Sequence, residues 1–410
     1  MKKIANIVFY TVAIIVLSWF LPWLYRLMLP DVKSEPFMAY SPVANAWVKS
    51  VTNDDKTQEI TLVDSDGKPV EGVLTKDDRD SLIPQMYYRN LMARKRMPDT
   101  IAGIETSVHN LKSGEMVLTS TPHDINKVTP EVFMIMESRP ERSDFEDPEE
   151  VWRWTADGME FIRIADGSIN EDRSARFTKE MKNVGFVQPL HDFSANITSR
   201  KQRDDGYLLV DAEGQVFNML QFAGRPMVVK VNLPEGVKAD KVWILEATDP
   251  RHLGLMTDTE GNPYFIESDY SVEPLEIGKI DPRNERLTVM GNVWNIVFRI
   301  TGPQGSRWRA IDATTLEPLG KYDYAYQESF LAKVGRYIFP YQLSFVSVND
   351  SLAYPRIIDI SWSAAILNIL LALILALMGV KRHSPHFYYG AAITCFFGIF
   401  SFVPFILTCD

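Results

Sequence analysis

The chain has 410 residues, of which 46% are hydrophobic and 11% aromatic, and it carries a formal net charge of −10. So many aromatic residues exclude wholesale disorder. The acidic balance argues against a nucleic-acid binder, whose surface must neutralise phosphates. Two cysteines, Cys395 and Cys409, are too few for a disulfide scaffold or a cysteine-rich metal site. The length suits two or three domains or one large repeat fold.

The apolar residues are concentrated at the two ends of the chain. Three segments lack any formal charge: Ile4 to Tyr25 with 22 residues, Ile360 to Val380 with 21, and Phe387 to Cys409 with 23. A helix needs about 20 such residues to cross the hydrocarbon core of a bilayer. The sequence therefore predicts three transmembrane helices. Residues 1–30 form an N-terminal anchor, and residues 359–410 form a two-helix hairpin.

The first segment also resembles a signal peptide, because it follows a basic start. Its apolar stretch is long, however, and the flank from Trp19 to Arg26 offers no small-residue cleavage site. These features favour an uncleaved anchor. Positive charge marks the cytoplasmic side of a membrane protein. Lys2 and Lys3 at the start and the basic turn at 381–386 therefore predict a cytoplasmic N-terminus, with the bulk of the chain and the C-terminus outside.

The external region, residues 31–358, has mainly β periodicity. Strand-like runs flank a polar turn that ends in glycine, and glycine supplies the positive φ that tight hairpins need. These turn glycines are Gly67, Gly114, Gly158, Gly214, Gly261 and Gly305, with separations of 44 to 56 residues. A further, glycine-free hairpin is predicted around Asp350. Repeats of about 47 residues predict a seven-bladed β-propeller-like fold; the alternative is two β-sandwich-like domains with evenly spaced hairpins.

The region from 31 to 359 holds 38 basic and 52 acidic residues, a net charge of −14. A solvated, soluble surface explains this charge best. Its densest acidic run, Glu141 to Glu150, lacks the alternating ligands and the glycine of an EF-hand loop and is predicted to be a surface loop. A helix is predicted over residues 81–97.

Two histidines of the external region are each followed by aspartate. His123 with Asp124 and His191 with Asp192 are weak candidates for acid–base catalysis or for metal binding if the fold brings them together. No paired-histidine spacing, nucleophile elbow, phosphate-binding loop or dinucleotide fingerprint accompanies them. Turn or surface histidines are therefore the preferred interpretation. No catalytic residue, metal site or cofactor is predicted.

The second apolar segment contains one strongly polar side chain, Asn368. It is predicted either to hydrogen-bond a neighbouring helix, which contributes about 1 kcal/mol, or to face the interface of the terminal hairpin.

The layout resembles a family of uncharacterised envelope membrane proteins of Bacteroidetes, a domain of unknown function. The residues that carry the resemblance are the anchor from Met1 to Tyr10, the stretch from Pro84 to Leu91, Met97-Pro98-Asp99, and the turn Lys381-Arg382-His383. The resemblance covers nearly the full chain. It implies an accessory role beside ABC-type export or uptake systems of the bacterial inner membrane, and it implies no catalytic residues.

These observations favour a non-enzymatic protein of the inner membrane that displays a large periplasmic β domain. Its predicted partners are the lipid bilayer and a membrane permease or other envelope proteins, with no nucleic acid. The alternative is an envelope enzyme, a propeller hydrolase or lyase that uses the His/Asp pairs. A ligand sensor is a third hypothesis, disfavoured because the short cytoplasmic turn cannot hold an output domain.

Overall fold

The protein is described here from a computed structural model. The structure describes residues 2–28, 35–53, 57–64, 67–127, 131–140, 145–201 and 203–408. The chain divides into two compact units. The helical unit comprises residues 1–34 and 326–410, and the β unit comprises residues 35–325. Residues 326–358, assigned to the external domain from the sequence, thus group with the terminal helices.

The elements are given in chain order. The first part of the chain contains α1 (Lys2–Leu27), β1 (Phe37–Ser41), β2 (Ala46–Thr52), β3 (Gln58–Val63), β4 (Pro69–Glu71), α2 (Lys76–Leu82), α3 (Pro84–Ala93), β5 (Thr100–Ile101), β6 (Ile104–Glu105), α4 (Val108–Ser113), β7 (Met116–Ser120) and α5 (Pro122–Ile125). The middle contains β8 (Phe133–Met134), β9 (Glu150–Thr155), β10 (Gly158–Arg163), α6 (Glu171–Asn183), β11 (Asp192–Ala195), β12 (Tyr207–Val210), β13 (Val216–Phe222), β14 (Arg225–Lys230), β15 (Ala239–Ile244), β16 (His252–Asp258), β17 (Pro263–Glu267) and β18 (Val272–Pro274). The last part contains β19 (Arg286–Gly291), β20 (Asn295–Gly302), β21 (Gly305–Asp312), β22 (Pro318–Ala325), α7 (Phe330–Ile338), β23 (Gln342–Ser344), β24 (Arg356–Ile358), a 3-10 turn (Trp362–Ala364), α8 (Ala365–Arg382), α9 (Pro385–Phe397) and α10 (Ile399–Leu407).

The strands of the β unit form antiparallel meanders, as the hairpin pattern predicted. Sheet 1 is β1-β2-β3-β4, sheet 2 is β8-β9-β10, sheet 3 is β11-β12-β13-β14, sheet 4 is β15-β16-β17-β18, and sheet 5 is β7-β19-β20-β21-β22. Each sheet is continuous in sequence except that β7 adds to the open edge of β19. The fold is mainly β, with one small sheet after another along the chain.

An aspartate three residues before the glycine explains several of these hairpins. In Asp211-Ala-Glu-Gly214, the Asp211 carboxylate accepts the backbone N–H groups of Glu213 and Gln215, both at 2.9 Å. Gly214 follows with φ +83°, a conformation that costs glycine little. The turn Asp258-Thr-Glu-Gly261 repeats this arrangement, with Asp258 bonded to two backbone N–H groups at 2.9 Å. The aspartate side chain thus accepts hydrogen bonds from backbone N–H groups that a tight turn leaves without backbone acceptors.

Five of the six predicted turn glycines lie in hairpin turns: Gly67, Gly158, Gly214, Gly261 and Gly305. The prediction for Gly114 was wrong. Gly114 ends helix α4 with φ −84°, and the residues before it are helical because Ser107 caps the helix by accepting the N–H of Asn110. The predicted hairpin at Asp350 is also displaced. Strands β23 and β24 pair at 342–344 and 356–358, and the segment around Asp350 connects them.

Buried clusters join the sheets in the order 2, 3, 4, 5, 1. The cluster between sheets 2 and 3 contains Trp152, Phe161 and Phe217. Other clusters join sheet 3 to sheet 4, sheet 4 to sheet 5, and sheet 5 to sheet 1. Between sheets 1 and 2, the described residues form α2, α3, α4 and α5, the short β5–β6 hairpin, and β7, which belongs to sheet 5. The described residues thus form a mainly β unit with five sheets of three or more strands, fewer than the seven blades predicted, and no closed propeller sheet is seen among them. The helix predicted over 81–97 is shorter, as α3 begins at Pro84 and ends at Ala93.

The helical unit contains two of the three predicted spans. The segments Ile4–Leu27 and Trp362–Arg382 are apolar helices long enough to cross a membrane. The third predicted span is not a single helix, because the chain breaks at Gly398 into α9 and α10. Gly398 has φ +55° and ψ −133°, a conformation that only glycine adopts readily, so the helical hydrogen-bond ladder stops there. Cys409 and Asp410 lie outside the described residues.

Candidate functional site

Edge strands of four sheets line one cavity in the β unit. Strands β7, β8, β11 and β15 each lie at the edge of their sheet, and residues of all four border a cavity of about 820 Å³. The wall also includes Asp124 and Ile125 of α5 and the turn after β9. Because edge strands leave backbone groups unpaired, this site must satisfy them with side chains or with a bound partner.

Alternate residues of β11 satisfy the edge of β15. The Asp192 carboxylate accepts the backbone N–H of Val242 at 3.0 Å, and the Ser194 hydroxyl oxygen accepts that of Ile244 at 2.9 Å. Residues two apart in a strand point to the same side, so Asp192 and Ser194 meet two matching positions of β15. Lys241 donates to the other oxygen of Asp192 at 2.7 Å. Burial raises the pKa of Asp192, and the Lys241 ammonium only partly offsets this.

His191 pairs with a carboxylate that is distant in sequence. Its Nε2 lies 3.0 Å from Oδ1 of Asp240, and Arg283 holds the same carboxylate through contacts of 2.8 and 3.2 Å. Burial tends to raise the pKa of Asp240, but hydrogen bonds from Arg283 and His191 outweigh it and hold that pKa below its usual range. The His191 side chain is 42% exposed. The result is an oriented imidazole at the margin of the cavity.

Asp124 stabilises the start of a helix. The Thr121 hydroxyl donates to Asp124 at 2.6 Å, the Thr121 N–H donates to the same carboxylate, and the Asp124 N–H donates back to the Thr121 hydroxyl oxygen. This capping box supplies partners for the first turn of α5. His123 is exposed and does not line the cavity.

The structure therefore brings three of the four candidate residues, Asp124, His191 and Asp192, to the margin of one cavity. Each aspartate already has a structural partner, and neither is the partner of the histidine beside it in sequence. Sequence reasoning missed Asp240, Lys241 and Arg283. The alternation of Asp192 and Ser194 was a signal in the sequence for a contact between the edges of two strands. The partner of His191, Asp240, lies 49 residues away and has no such signal. Among the described residues, no group of three or more His, Cys, Asp or Glu could hold a metal ion.

Aromatic side chains complete the wall of the cavity. Phe133, Trp154, Phe193 and Trp243 line it. Trp154 stacks on Phe186 with ring centroids 5.0 Å apart, and its indole Nε1 is buried without a hydrogen-bond acceptor among the described residues. An apolar wall with a few fixed polar groups is typical of ligand and peptide sites. Paired charges hold the strands around this wall in place.

The family model for "Domain of unknown function (DUF4857)" matches residues 37–311. The chain therefore belongs to this family. None of the curated proteins compared with the chain matches it.

Several solved structures match the chain at low similarity, and two of those named next are described as propellers. The Dos1 propeller is 8% identical with a TM-score of 0.26, and the match covers 53% of this chain and 62% of that one. The β-propeller domain of Cps50 (Swd1) from Myceliophteria thermophila is 11% identical with a TM-score of 0.27, covering 48% and 57%. Apo AztD from Citrobacter koseri is 9% identical with a TM-score of 0.25, covering 77% and 64%. The chain thus spans less than two thirds of each of these structures.

Proposed function

We propose that this protein is a membrane-anchored, non-enzymatic binding protein, an accessory subunit of an ABC-type transport system in the bacterial inner membrane. In this proposal α1 and α8 cross the membrane, the β unit lies on the periplasmic side, and its cavity receives a segment of the transporter. The observation that carries the proposal is the cavity, bordered by edge strands of four sheets and flanked in sequence by two apolar helices.

The apolar helices support membrane anchoring. Large hydrophobic side chains are exposed along α1 and α8, and Ile4, Ile7, Ile366 and Leu377 are each more than 60% exposed. Water disfavours such contiguous apolar surface, whereas lipid acyl chains accept it. The basic residues Lys381 and Arg382 at the end of α8 favour a cytoplasmic position for that end.

The charges at the cavity support binding rather than catalysis. Asp192 is held by Lys241 and the backbone of β15, Asp240 by Arg283, and Asp124 by the helix cap. A general base needs a free lone pair directed at a substrate. Carboxylates that are already engaged in this way fix the shape of the cavity, which is what recognition of a protein segment requires.

Two neighbouring substitutions test the proposal. Ala156 borders the cavity and Asp157, the next residue of the same turn, does not. A tagged full-length protein purified in mild detergent should recover a permease subunit and its ATPase. Ala156→Trp should lose both subunits because the indole fills the cavity mouth, and Asp157→Trp should retain them. Recovery of no transporter subunit, or equal recovery by the two variants, would contradict the proposal.

An envelope enzyme is the second candidate. The orientation of the His191 imidazole by Asp240 and Arg283 favours it, since a positioned histidine beside a cavity is a common general base. If the purified protein cleaves envelope polysaccharides, His191→Gln should abolish cleavage. His109→Gln alters a histidine remote from this cavity and should leave cleavage unchanged. Equal activity of both variants would remove this candidate.

A further inference from the structure

The two short helices at the end of the chain fold back on each other. Helix α9 runs to the break at Gly398, and α10 returns beside it. Near the open end, the rings of His386 and Phe405 have centroids 5.1 Å apart, and Thr408 Oγ1 lies 3.5 Å from His386 Nε2. A Cβ on Gly390 would meet the Phe405 ring at 2.8 Å, so the two arms are in close contact. The last described residue thus lies next to the first turn of α9.

The open end of this hairpin lies against the N-terminal half of α1. The Tyr10 hydroxyl is 2.7 Å from Thr408 Oγ1, and the Tyr10 ring stacks on Phe405 with centroids 4.3 Å apart. Tyr10 lies eight residues after the start of α1, which is about 12 Å along the helix axis. The same end of the bundle contains the turn between α8 and α9, at residues 383–384.

The tip of the hairpin lies toward the other end of α1. Next to the break, Phe400 packs on Phe339 and Tyr341 with centroids 5.9 and 5.2 Å away. Phe339 in turn contacts Tyr25, close to the end of α1. The tip and the open end therefore mark opposite directions along α1.

Buried polar groups stabilise the break. Thr394 and Ser401, one on each arm, have their hydroxyl oxygens 3.0 Å apart, and both residues are fully buried. Asn368 of α8 is 3% exposed, and its Oδ1 occupies the space that a Cβ on Gly398 would need, 2.1 Å from that position. Irregular backbone is tolerated at membrane depth where protein covers it. The break is covered in this way.

The arms are too short to cross separately. Helix α9 has 13 residues and α10 has 9. At 1.5 Å per residue these lengths are about 20 and 14 Å, against a hydrocarbon core of about 30 Å. Phe396 and Leu407 are nonetheless more than 75% exposed. Exposed apolar side chains also occur on α1 and α8 of the same unit, so lipid is the partner that these surfaces fit.

We infer that α9 and α10 form a re-entrant hairpin, which enters the bilayer from the side of the 383–384 turn and returns to that side. This inference rests on the proposed membrane anchoring. The chain then crosses the membrane twice, through α1 and α8. The end of α10 lies on the side of the N-terminus of α1, opposite to the position predicted for Asp410 from three full crossings.

Cysteine labelling of the full-length protein tests the inference. Cys395→Ser leaves Cys409 as the single thiol. Two controls carry one cysteine each in a background that lacks both native thiols: Ser384→Cys in the turn and Glu213→Cys on an exposed hairpin of the β unit. Spheroplasts are treated with a membrane-impermeant maleimide before and after permeabilisation. Cys409 and Ser384→Cys should be labelled only after permeabilisation, and Glu213→Cys should be labelled in both cases.

The outcomes separate the two proposals. Labelling of Cys409 in intact spheroplasts together with Glu213→Cys, while Ser384→Cys stays protected, would overturn the hairpin and leave the anchoring intact. Labelling of all three in a protein recovered from the soluble fraction would overturn both. A protease-cleavable tag after Asp410 gives a second readout. Its cleavage in inverted vesicles but not in spheroplasts is expected, and the reverse would refute the hairpin.

Discussion

The two units of this protein treat buried polar groups in opposite ways. In the β unit, several buried charges are paired with opposite charges: Lys201 is 6% exposed by side chain and lies between the carboxylates of Asp204 and Glu246. In the helical unit, the buried polar side chains within the described helices are neutral, namely Ser18, Asn368, Thr394 and Ser401. The β unit places its aromatic side chains inside, whereas the helical unit exposes many of them.

The proposed membrane anchoring would explain this difference, because it places the two units in different solvents. A buried charge is tolerable when its partners surround it, but an apolar exterior is tolerable only beside lipid. The exposure of the same amino-acid type therefore has a different interpretation in each unit. If α1 crosses a membrane as proposed, an exposed Ile of α1 faces lipid, whereas an exposed charge lies on the aqueous face of a sheet. Four predictions test this contrast.

The largest effect is expected in the β unit, for Lys201→Met. Removing the ammonium leaves Asp204 and Glu246, 1% and 4% exposed by side chain, without their shared cation. Breaking a buried ion pair in this way typically costs about 3 to 5 kcal/mol of unfolding free energy. Denaturant unfolding of the detergent-solubilised protein measures this loss of unfolding free energy. Lys279→Met, which breaks an exposed pair with Glu260, should cost less than about 1 kcal/mol. Similar losses in both variants would show that burial does not distinguish the two pairs.

In the helical unit, Gly398→Ala should destabilise the break by about 1 to 3 kcal/mol, since an L side chain strains that backbone conformation. The new Cβ also meets Oδ1 of Asn368. In an Asn368→Ala background the loss should therefore be smaller. Gly224→Ala, at φ +69° with open space around it, isolates the strain alone. Thermal unfolding in detergent gives all four values. Strict additivity of the Gly398 and Asn368 changes would rule out the contact.

The pH dependence of stability tests the contribution of the Asp240 carboxylate. Because its folded pKa lies below the ordinary value of 3.8, its ion pairs stabilise the fold fully above that value, and this contribution is lost as the pH falls through the folded pKa. Asp240→Asn should cost about 1.5 kcal/mol at neutral pH, the scale of a hydrogen bond to a charged group. The difference between variant and wild type should shrink in acid. As a control for the size of the loss, Glu260→Gln, at a carboxylate whose side chain is 73% exposed, should cost less than about 1 kcal/mol at neutral pH. A difference that is constant with pH would contradict the assignment.

The smallest effect is expected at the capping box of α5. Thr121→Ala removes the hydroxyl that bonds Asp124 and should cost about 1 kcal/mol. Asp124→Ala removes the other half of the same box. The double variant should therefore cost less than the sum of the two single variants. Additive losses would indicate that Asp124 has a separate role at the cavity. Transporter recovery by these variants, compared with Ala156→Trp, would show whether that role is recognition.

Much of the β unit was predictable because its signals are local. The turn Asp211 to Gly214 encodes its own hairpin, since a carboxylate, two nearby N–H groups and a glycine are all within five residues. The prediction of a hairpin turn at Gly114 was wrong because glycine also commonly ends a helix. The N-cap at Ser107, which starts that helix, is not part of the strand–turn–glycine pattern. The predicted number of blades was wrong for a related reason. Residues 72–115 have the length of one blade, but they form three helices and the short β5–β6 hairpin.

The site was less predictable because its contacts are distant in sequence. His191 lies beside Asp192 in the chain, at the residue just before β11, yet the two side chains have different partners. The pairing with Asp240 depends on sheets 3 and 4 lying side by side. Nothing near His191 specifies that partner.

The apolar ends, the acidic β region between them and most of its hairpins are specified by local sequence. Hydropathy and turn chemistry act over a few residues and need no knowledge of the fold. The number of sheets, the charges that meet at the cavity and the bend of the last apolar segment at Gly398 become visible only in the folded chain. These outcomes depend on packing between distant segments. A run of 23 uncharged residues is long enough to cross a membrane as one helix. Its length is the same when the chain bends back in the middle, so length alone does not distinguish the two arrangements.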